Sequence, residues 1–187
     1  MRSLNRIGDR PASLPLSADH IVEFHAARLL LLIRFCGISD RIDGLTKMAK
    51  LDFFTRYPDF FDTAAATKPR DAGASTMKTN KSIESAMVRH HYGPWDKRYY
   101  HILAHLEAKH LISVKKEGKS YRLALTDLGR EKADILSKKT SFVPIVERMR
   151  EVKKAFGKKS GSFLKDLIYR IFDEEVSLRK LGEVIRL

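Results

Sequence analysis

Residues 83–136 constrain the fold of this chain more than any other part of its sequence. Their pattern predicts a helix from about residue 83, a turn, and a second helix over 95–110 with apolar side chains three and four residues apart. Apolar and polar residues then alternate on both sides of 116–119, which is typical of two half-buried strands joined as a hairpin. A third helix follows, with Thr126 as its expected cap.

This order of elements is that of a winged helix-turn-helix, a fold that binds nucleic acid through its second helix and its hairpin wing. We expect a mainly α protein with a winged helix-turn-helix, a small β-hairpin wing, and additional N- and C-terminal helices. The expected DNA-binding residues are Lys97, Arg98, His101, His105 and Lys109 on the helix, and Lys115, Lys116, Lys119 and Arg122 on the wing.

Such an interface would have weak sequence preference, because phosphate contacts position a protein on DNA without reading the bases. Only Arg98 among these helix residues is an ideal bidentate reader of guanine. The alternative is that the second helix packs on another protein, since a fold does not fix a function.

The charge of the chain points to an acidic partner, and we expect double-stranded DNA. The formal net charge is +13, of which residues 81–139 carry +6 and residues 140–160 carry +4, whereas residues 161–187 are neutral. The positive excess therefore coincides with the predicted winged helix and the helix after it. A basic surface that only serves solubility is the alternative.

The chain divides into five predicted segments: a flexible leader (1–16), a helical platform (17–61), a linker or loop (62–82), the winged helix (83–139) and C-terminal amphipathic helices (140–187). In the platform we expect one helix ending near Gly37 and a second over 45–57, stopped by Pro58. The linker is assigned from its small and polar composition.

An apolar stripe in the last segment needs a surface to cover it. The expected partner-binding residues are Phe163, Leu164, Leu167, Ile168, Ile171 and Phe172. Either the stripe folds back onto the chain's own helices, or it docks into another subunit as an amphipathic helix does in a groove.

Gly93, Pro94 and Trp95 form the most unusual local sequence. Glycine permits rare backbone angles, proline presets a first helical turn, and the sole tryptophan is expected to bury its ring in the core. We interpret the three as a structural hinge, with a ligand-binding role as the alternative.

Chemistry for catalysis is not apparent in the sequence, so we predict no enzyme, no cofactor and no metal. His90, His91, His101 and His105 lack a nearby cysteine or carboxylate cluster to complete a zinc site. Residues 157–162 lack the spacing of a phosphate-binding loop and are interpreted as a basic turn. Cys36 is expected to be a buried apolar side chain. The longest apolar run, 26–33, is too short to cross a bilayer, so we expect a cytoplasmic protein without a membrane partner.

Two segments go beyond a generic winged helix. Residues 43–58 read DGLTKMAKLDFFTRYP and residues 85–99 read SAMVRHHYGPWDKRY. Both resemble the small middle component of bacterial three-component ATPase defence systems, the Lamassu-like group. Residues 106–112 and 121–129 also resemble the recognition-helix end and wing exit of MarR- and PadR-type winged helices. The first resemblance covers roughly residues 20–130 and implies an SMC- or Rad50-like ATPase partner and an effector subunit, commonly a nuclease, in anti-phage defence.

The preferred hypothesis is therefore a non-enzymatic accessory subunit that bridges such an ATPase and DNA. The competing hypothesis is a stand-alone dimeric winged-helix transcription regulator. That alternative predicts a homodimer built from the 17–37 helix or the terminal helices, and a palindromic DNA site.

Overall fold

The computed structural model describes residues 21–66, 87–91, 93–172, 180–183 and 185. It is mainly helical with a small amount of antiparallel sheet. The helices are α1 (Val22–Cys36), α2 (Leu45–Arg56), α3 (Pro58–Ala66), α4 (Tyr99–Ala108), α5 (Asp127–Ser137), α6 (Val143–Phe156) and α7 (Gly161–Ile171). The strands are β1 (Arg41–Asp43), β2 (Val88–His90), β3 (Gly93–Trp95), β4 (Ile112–Glu117) and β5 (Ser120–Leu125).

Helix α1 is the centre of the core. Its residues 29–33 are at most 2% exposed, because α2, α4, α5 and α6 all pack on it. The buried face predicted for 26–33 is confirmed, and Cys36 is buried as expected. The first residues of the predicted 17–37 helix, 17–20, lie outside the described part.

Helix α2 is followed directly by another helix, which the sequence reading missed. Proline has no N–H but fits the first helical turn, so Pro58 ends α2 and begins α3. Phe60 and Phe61 of α3 are buried. The predicted 62–82 linker is thus wrong for 62–66, which continue α3, while 67–82 lie outside the described residues.

The predicted β-hairpin is present as β4–β5 (the wing, by name only), with Glu117 opposite Ser120 and Gly118 at φ +57° in the turn. A third strand, β1, pairs antiparallel with β5, which gives the sheet order β1-β5-β4. Ile42 of β1 and Leu123 of β5 are paired and buried. The sequence reading contained no strand at β1, because three residues are too few to show an alternation.

The region before α4 differs from the prediction. Strand β2 pairs with β3, so the described residues 87–98 contain a second hairpin where a helix and a turn were expected. The predicted hinge at Gly93, Pro94 and Trp95 is this buried strand β3, and α4 begins at Tyr99 instead of Trp95. Gly93 has φ +90° and lies against Lys50, where an added Cβ would be 3.3 Å from Nζ. The expected burial of Trp95 is confirmed.

Helices follow the wing as predicted, but the apolar stripe on α7 packs against the chain's own core. The Thr126 hydroxyl caps α5 by accepting from the Gly129 N–H at 3.0 Å, as expected. Helix α7 packs on α2, so Leu164, Ile168 and Phe172 are buried within the chain. Docking of these three side chains into another subunit is therefore wrong, and the stripe folds back. Leu167 and Ile171 are half-buried, and Phe163 is 42% exposed beneath the Lys159 ammonium. No helix in the described ranges has the length and hydropathy to span a membrane.

Candidate nucleic-acid interface

Helix α4 presents a cationic and aromatic surface at its N-terminal end. Lys97, Tyr100 and His101 are exposed, and Tyr100 has 62% of its surface accessible. One and two turns further along the same face lie Ala104 and Ala108, both exposed. Small side chains let a helix backbone approach a surface closely, so this face has the shape of a groove-filling element.

The wing adds a second set of positive charges. Lys115, Lys116 and Lys119 are exposed on β4 and in the turn, and Tyr121 on β5 is 39% exposed. The β4–β5 ribbon follows α4 directly, after the turn at His110 (φ +56°). Helix and ribbon are thus fixed to each other, which a two-part contact with a phosphate backbone requires.

Two predicted contact residues are already paired within the chain. The Arg98 guanidinium donates to the Asp96 carboxylate at 2.7 and 2.9 Å and contacts His25 Nε2 at 2.7 Å. Arg122 pairs with Glu117 at 2.7 Å and with Asp43 at 3.4 Å. Both side chains are partly exposed, 31% for Arg98 and 37% for Arg122, so a contact with DNA would compete with these pairs.

The C-terminal half of α4 borders a different surface. His105 and Lys109 line an apolar groove of about 330 Å³ between α1, α4 and α5. Ala26, Leu30, Leu111, Ile135 and Leu136 are among the apolar residues of its walls. The predicted contact residues therefore divide between two surfaces: Lys97 and His101 stand on the outward face, and His105 and Lys109 rim the groove.

A buried network of charges positions α4, and sequence reasoning missed it. Arg28 of α1 is fully buried and donates to Asp52 of α2 at 3.1 Å. The Tyr99 hydroxyl of α4 donates to the same carboxylate at 2.7 Å. Arg56 of α2 bonds Asp96 at 3.1 Å, so three helices and the segment before α4 share one set of ion pairs.

The network explains how these charges remain buried. Burial acts to raise the pKa of Asp96, but hydrogen bonds from Arg98 and the charges of Arg56 and Arg98 outweigh it and hold the pKa well below its ordinary value. Burial, followed by the Asp52 charge, raises the pKa of Tyr99, so its hydroxyl remains a donor. The Asp96 carboxylate is thus ionised, and both carboxylates of the network are paired, which buried charges need.

One signal in the sequence indicates this network. Arg28 interrupts an otherwise apolar helix face, and Lys50, Asp52 and Arg56 interrupt α2 in the same way. Charges at core positions must be paired, so their presence in two neighbouring helices predicts mutual contact. The pairing itself depends on tertiary structure.

Metal ligation has no support in the described part of the chain, where no three of its histidine, cysteine, aspartate and glutamate side chains group closely enough to hold an ion. Comparison of the chain with protein-family models, with curated proteins and with solved structures gave no match in any of the three.

Proposed function

We propose that this chain is a winged-helix DNA-binding accessory subunit that works with an SMC- or Rad50-like ATPase and an effector in bacterial anti-phage defence. The observation that carries the DNA-binding part is the exposure of Lys97, just before α4, and of Lys115, Lys116 and Lys119 on the β4–β5 ribbon that follows α4. The ATPase and effector part is carried by the sequence resemblance.

The order of elements supports a winged helix with an insertion. Helix α1, strand β1 and helix α2 take the first three places of such a fold, α4 takes the place of the recognition helix, and β4–β5 forms the wing. Pairing of β1 with β5 fits this arrangement. Helix α3, residues 67–86 and the β2–β3 hairpin separate α2 from α4, where a simple helix-turn-helix has only a short turn.

The segments that carry the family resemblance meet in the structure, which supports a shared architecture. Residues 43–58 include α2, and residues 85–99 include β2, β3 and the start of α4. The Lys50 ammonium of the first donates to the Pro94 carbonyl of the second at 2.9 Å. The pairs Arg56–Asp96 and Asp52–Tyr99 also join them. Several of the motif residues therefore have structural reasons to occur together.

The competing regulator hypothesis requires α1 or the terminal helices to form a dimer. The buried residues of α1 and α7 already pack inside the chain, so a dimer through them would have to open the core. We therefore favour the accessory subunit.

DNA binding is tested with a short duplex and fluorescence anisotropy at several salt concentrations. Replacing Lys97, Lys115 and Lys116 with alanine should weaken binding and lower the slope of log K against log salt by about 0.9 for each lost phosphate contact. The matched control replaces Lys139, Lys154 and Lys158, which are also exposed, and should leave the slope near the wild-type value. Equal effects of the two triple variants would reject this DNA face.

The partner is tested by expressing the chain together with its genomic neighbours. Co-purification of a coiled-coil ATPase at fixed stoichiometry is the expected result. A neighbourhood without such a gene, or an ATPase that does not associate with the chain, would remove the defence-complex part and leave the DNA-binding part standing.

A further inference from the structure

A cleft of about 450 Å³ lies beside the wing, apart from the outward face of Lys97 and His101. Four parts of the chain enclose it: the start of α2, the start of α7, the tip of the wing, and the β2–β3 hairpin with the first turn of α4. Its lining includes Lys47, Lys119 and Lys165, the aromatic residues Trp95, Tyr100 and Tyr121, and the hydroxyl residues Thr46, Ser120 and Ser162.

Two helix N-termini meet at this cleft. An added Cβ on Gly161 would lie 2.9 Å from the Lys47 backbone nitrogen, so the first turns of α2 and α7 abut. No side chain caps α2, whereas the Ser160 hydroxyl caps α7 by accepting from the Phe163 N–H at 3.1 Å, and neither first turn contains an acidic residue. The partial positive charge of both helix ends therefore lacks a carboxylate within their own first turns.

A fourth lysine lies next to residues that line the cleft. Lys50 is fully buried, and in the described residues its ammonium has a hydrogen bond to the carbonyl of Pro94, next to Trp95, but no carboxylate in salt-bridge distance. Burial, and then the charge of the cleft residue Lys165, lowers the pKa of Lys50 to about 7.

The lining of the cleft offers little competing negative charge. Its acidic residue, Asp43, already pairs with Arg41 and Arg122. His90 also lines the cleft, and its Nδ1 is buried without a hydrogen-bond partner among the described residues. The cleft therefore combines three lysines with a carboxylate that is already paired.

The aromatic residues at the rim of the cleft indicate a ligand that contains an aromatic base. Tyr100 is 62% and Tyr121 39% exposed, and both line the cleft from the wing and α4. Exposed aromatic faces next to a cationic site are the usual partners of a nucleobase, whose attached phosphate goes to the positive charge.

We propose that this cleft binds the terminal phosphate of a nucleotide, with Lys47, Lys119 and Lys165 and the uncapped first turn of α2 around the phosphate and Tyr100 or Tyr121 stacked on the base. A free mononucleotide and the phosphorylated 5′ end of a DNA strand share this chemistry. Only the DNA source rests on the proposed function.

Ser162→Asp tests the site with little risk to the fold. An aspartate in the first turn of a helix is stabilising, but here its carboxylate would occupy the phosphate position. Ser141→Asp is the matched control, because it adds the same charge at an exposed serine outside the cleft. Lys165→Gln is a second variant that removes a cleft charge outside α4 and the wing.

Isothermal titration calorimetry with 5′-dAMP and deoxyadenosine gives the first readout. Wild-type protein and Ser141→Asp should bind 5′-dAMP and not deoxyadenosine, with affinities within about twofold of each other, whereas Ser162→Asp should bind at least about tenfold more weakly. Lys165→Gln should also weaken binding.

A blunt duplex with and without a 5′-phosphate separates the two ligand sources. A preference for the phosphorylated duplex that Ser162→Asp abolishes assigns the site to DNA ends, and binding of 5′-dAMP alone assigns it to a free nucleotide. If neither probe shows a phosphate-dependent affinity, or if Ser162→Asp binds as well as wild type, the inference is overturned. If the protein binds 5′-dAMP but not duplex DNA, the proposed DNA-binding function is rejected and the nucleotide site in the cleft is supported.

Discussion

The arginines of the inner network and the lysines of the outer surface use positive charge in opposite ways. Arg28 and Arg56 are buried and paired with Asp52 and Asp96. These ion pairs hold α1, α2 and the segment before α4 together. Lys97 and Lys116 are exposed, with no ion pair in the described residues. Net charge alone therefore does not locate a binding face, because burial and pairing decide which charges a partner can meet.

The largest effect is expected from Asp52→Ala. This change leaves Arg28 and Arg56 buried without that carboxylate and should lower the free energy of unfolding by about 3 to 5 kcal/mol. Chemical denaturation measures it. The control is Asp134→Ala, since Asp134 also pairs with an arginine, Arg34, but is half exposed; its loss should be about 1 kcal/mol or less. Equal losses would remove the distinction between the two regions.

Asp96→Asn should lower stability by about 1.5 to 3 kcal/mol at neutral pH, because hydrogen bonds between charged groups are lost. The folded pKa of Asp96 lies below its ordinary value of 3.8, so its contribution is present above that pH and disappears as the pH falls through the folded pKa. Denaturation at several pH values should show the difference between wild type and variant shrinking below about pH 4. A difference independent of pH would contradict the pairing.

Lys50→Met should act in the opposite direction. The pKa of Lys50 falls from 10.5 to about 7 on folding, so the unfolded chain binds more protons between these values and wild-type stability rises with pH across them. Methionine removes the burial of a charge and should stabilise the protein by about 1 to 2 kcal/mol near pH 6. That gain should vanish by about pH 10, because neutral Lys50 no longer carries the cost. Urea denaturation at pH 6 and pH 10 checks both values.

The smallest effects are expected at two neighbouring residues: Arg98, which pairs with the inner network, and Lys97, which belongs to the outer surface. Arg98→Ala should destabilise the fold by about 1 kcal/mol through its lost bonds to Asp96. Lys97→Ala should change stability by less than about 0.5 kcal/mol while weakening DNA binding. Thermal melts measure the change in stability of both variants, and anisotropy measures their change in DNA affinity. A larger loss of stability for Lys97→Ala than for Arg98→Ala would contradict this assignment.

The sequence predicted those elements whose pattern is local. The β4–β5 hairpin, the Thr126 cap and the buried face of α1 follow from alternation, turn composition and helical periodicity. Strand β1 and the β2–β3 hairpin were not predicted, because a strand of three residues is too short to show an alternating pattern. The chain also has Pro94 at a position where proline suits a helix start as well as a strand.

The candidate site was predictable in composition but not in geometry. The wing lysines are exposed as their positions suggest, whereas Arg98 is half-buried and paired because Asp96, two residues earlier, accepts from both its backbone N–H and its guanidinium. The cleft could not be foreseen, since the first turns of α2 and α7 are more than one hundred residues apart in the sequence.

Amide hydrogen exchange with and without duplex DNA locates the surface of the protein that contacts DNA. If α4 and the wing bind DNA, protection increases in residues 97–108 and 112–121, and exchange is unchanged in α6, whose lysines are also exposed. Protection concentrated in α6, or none in α4 and the wing at saturating DNA, would contradict DNA binding by this face.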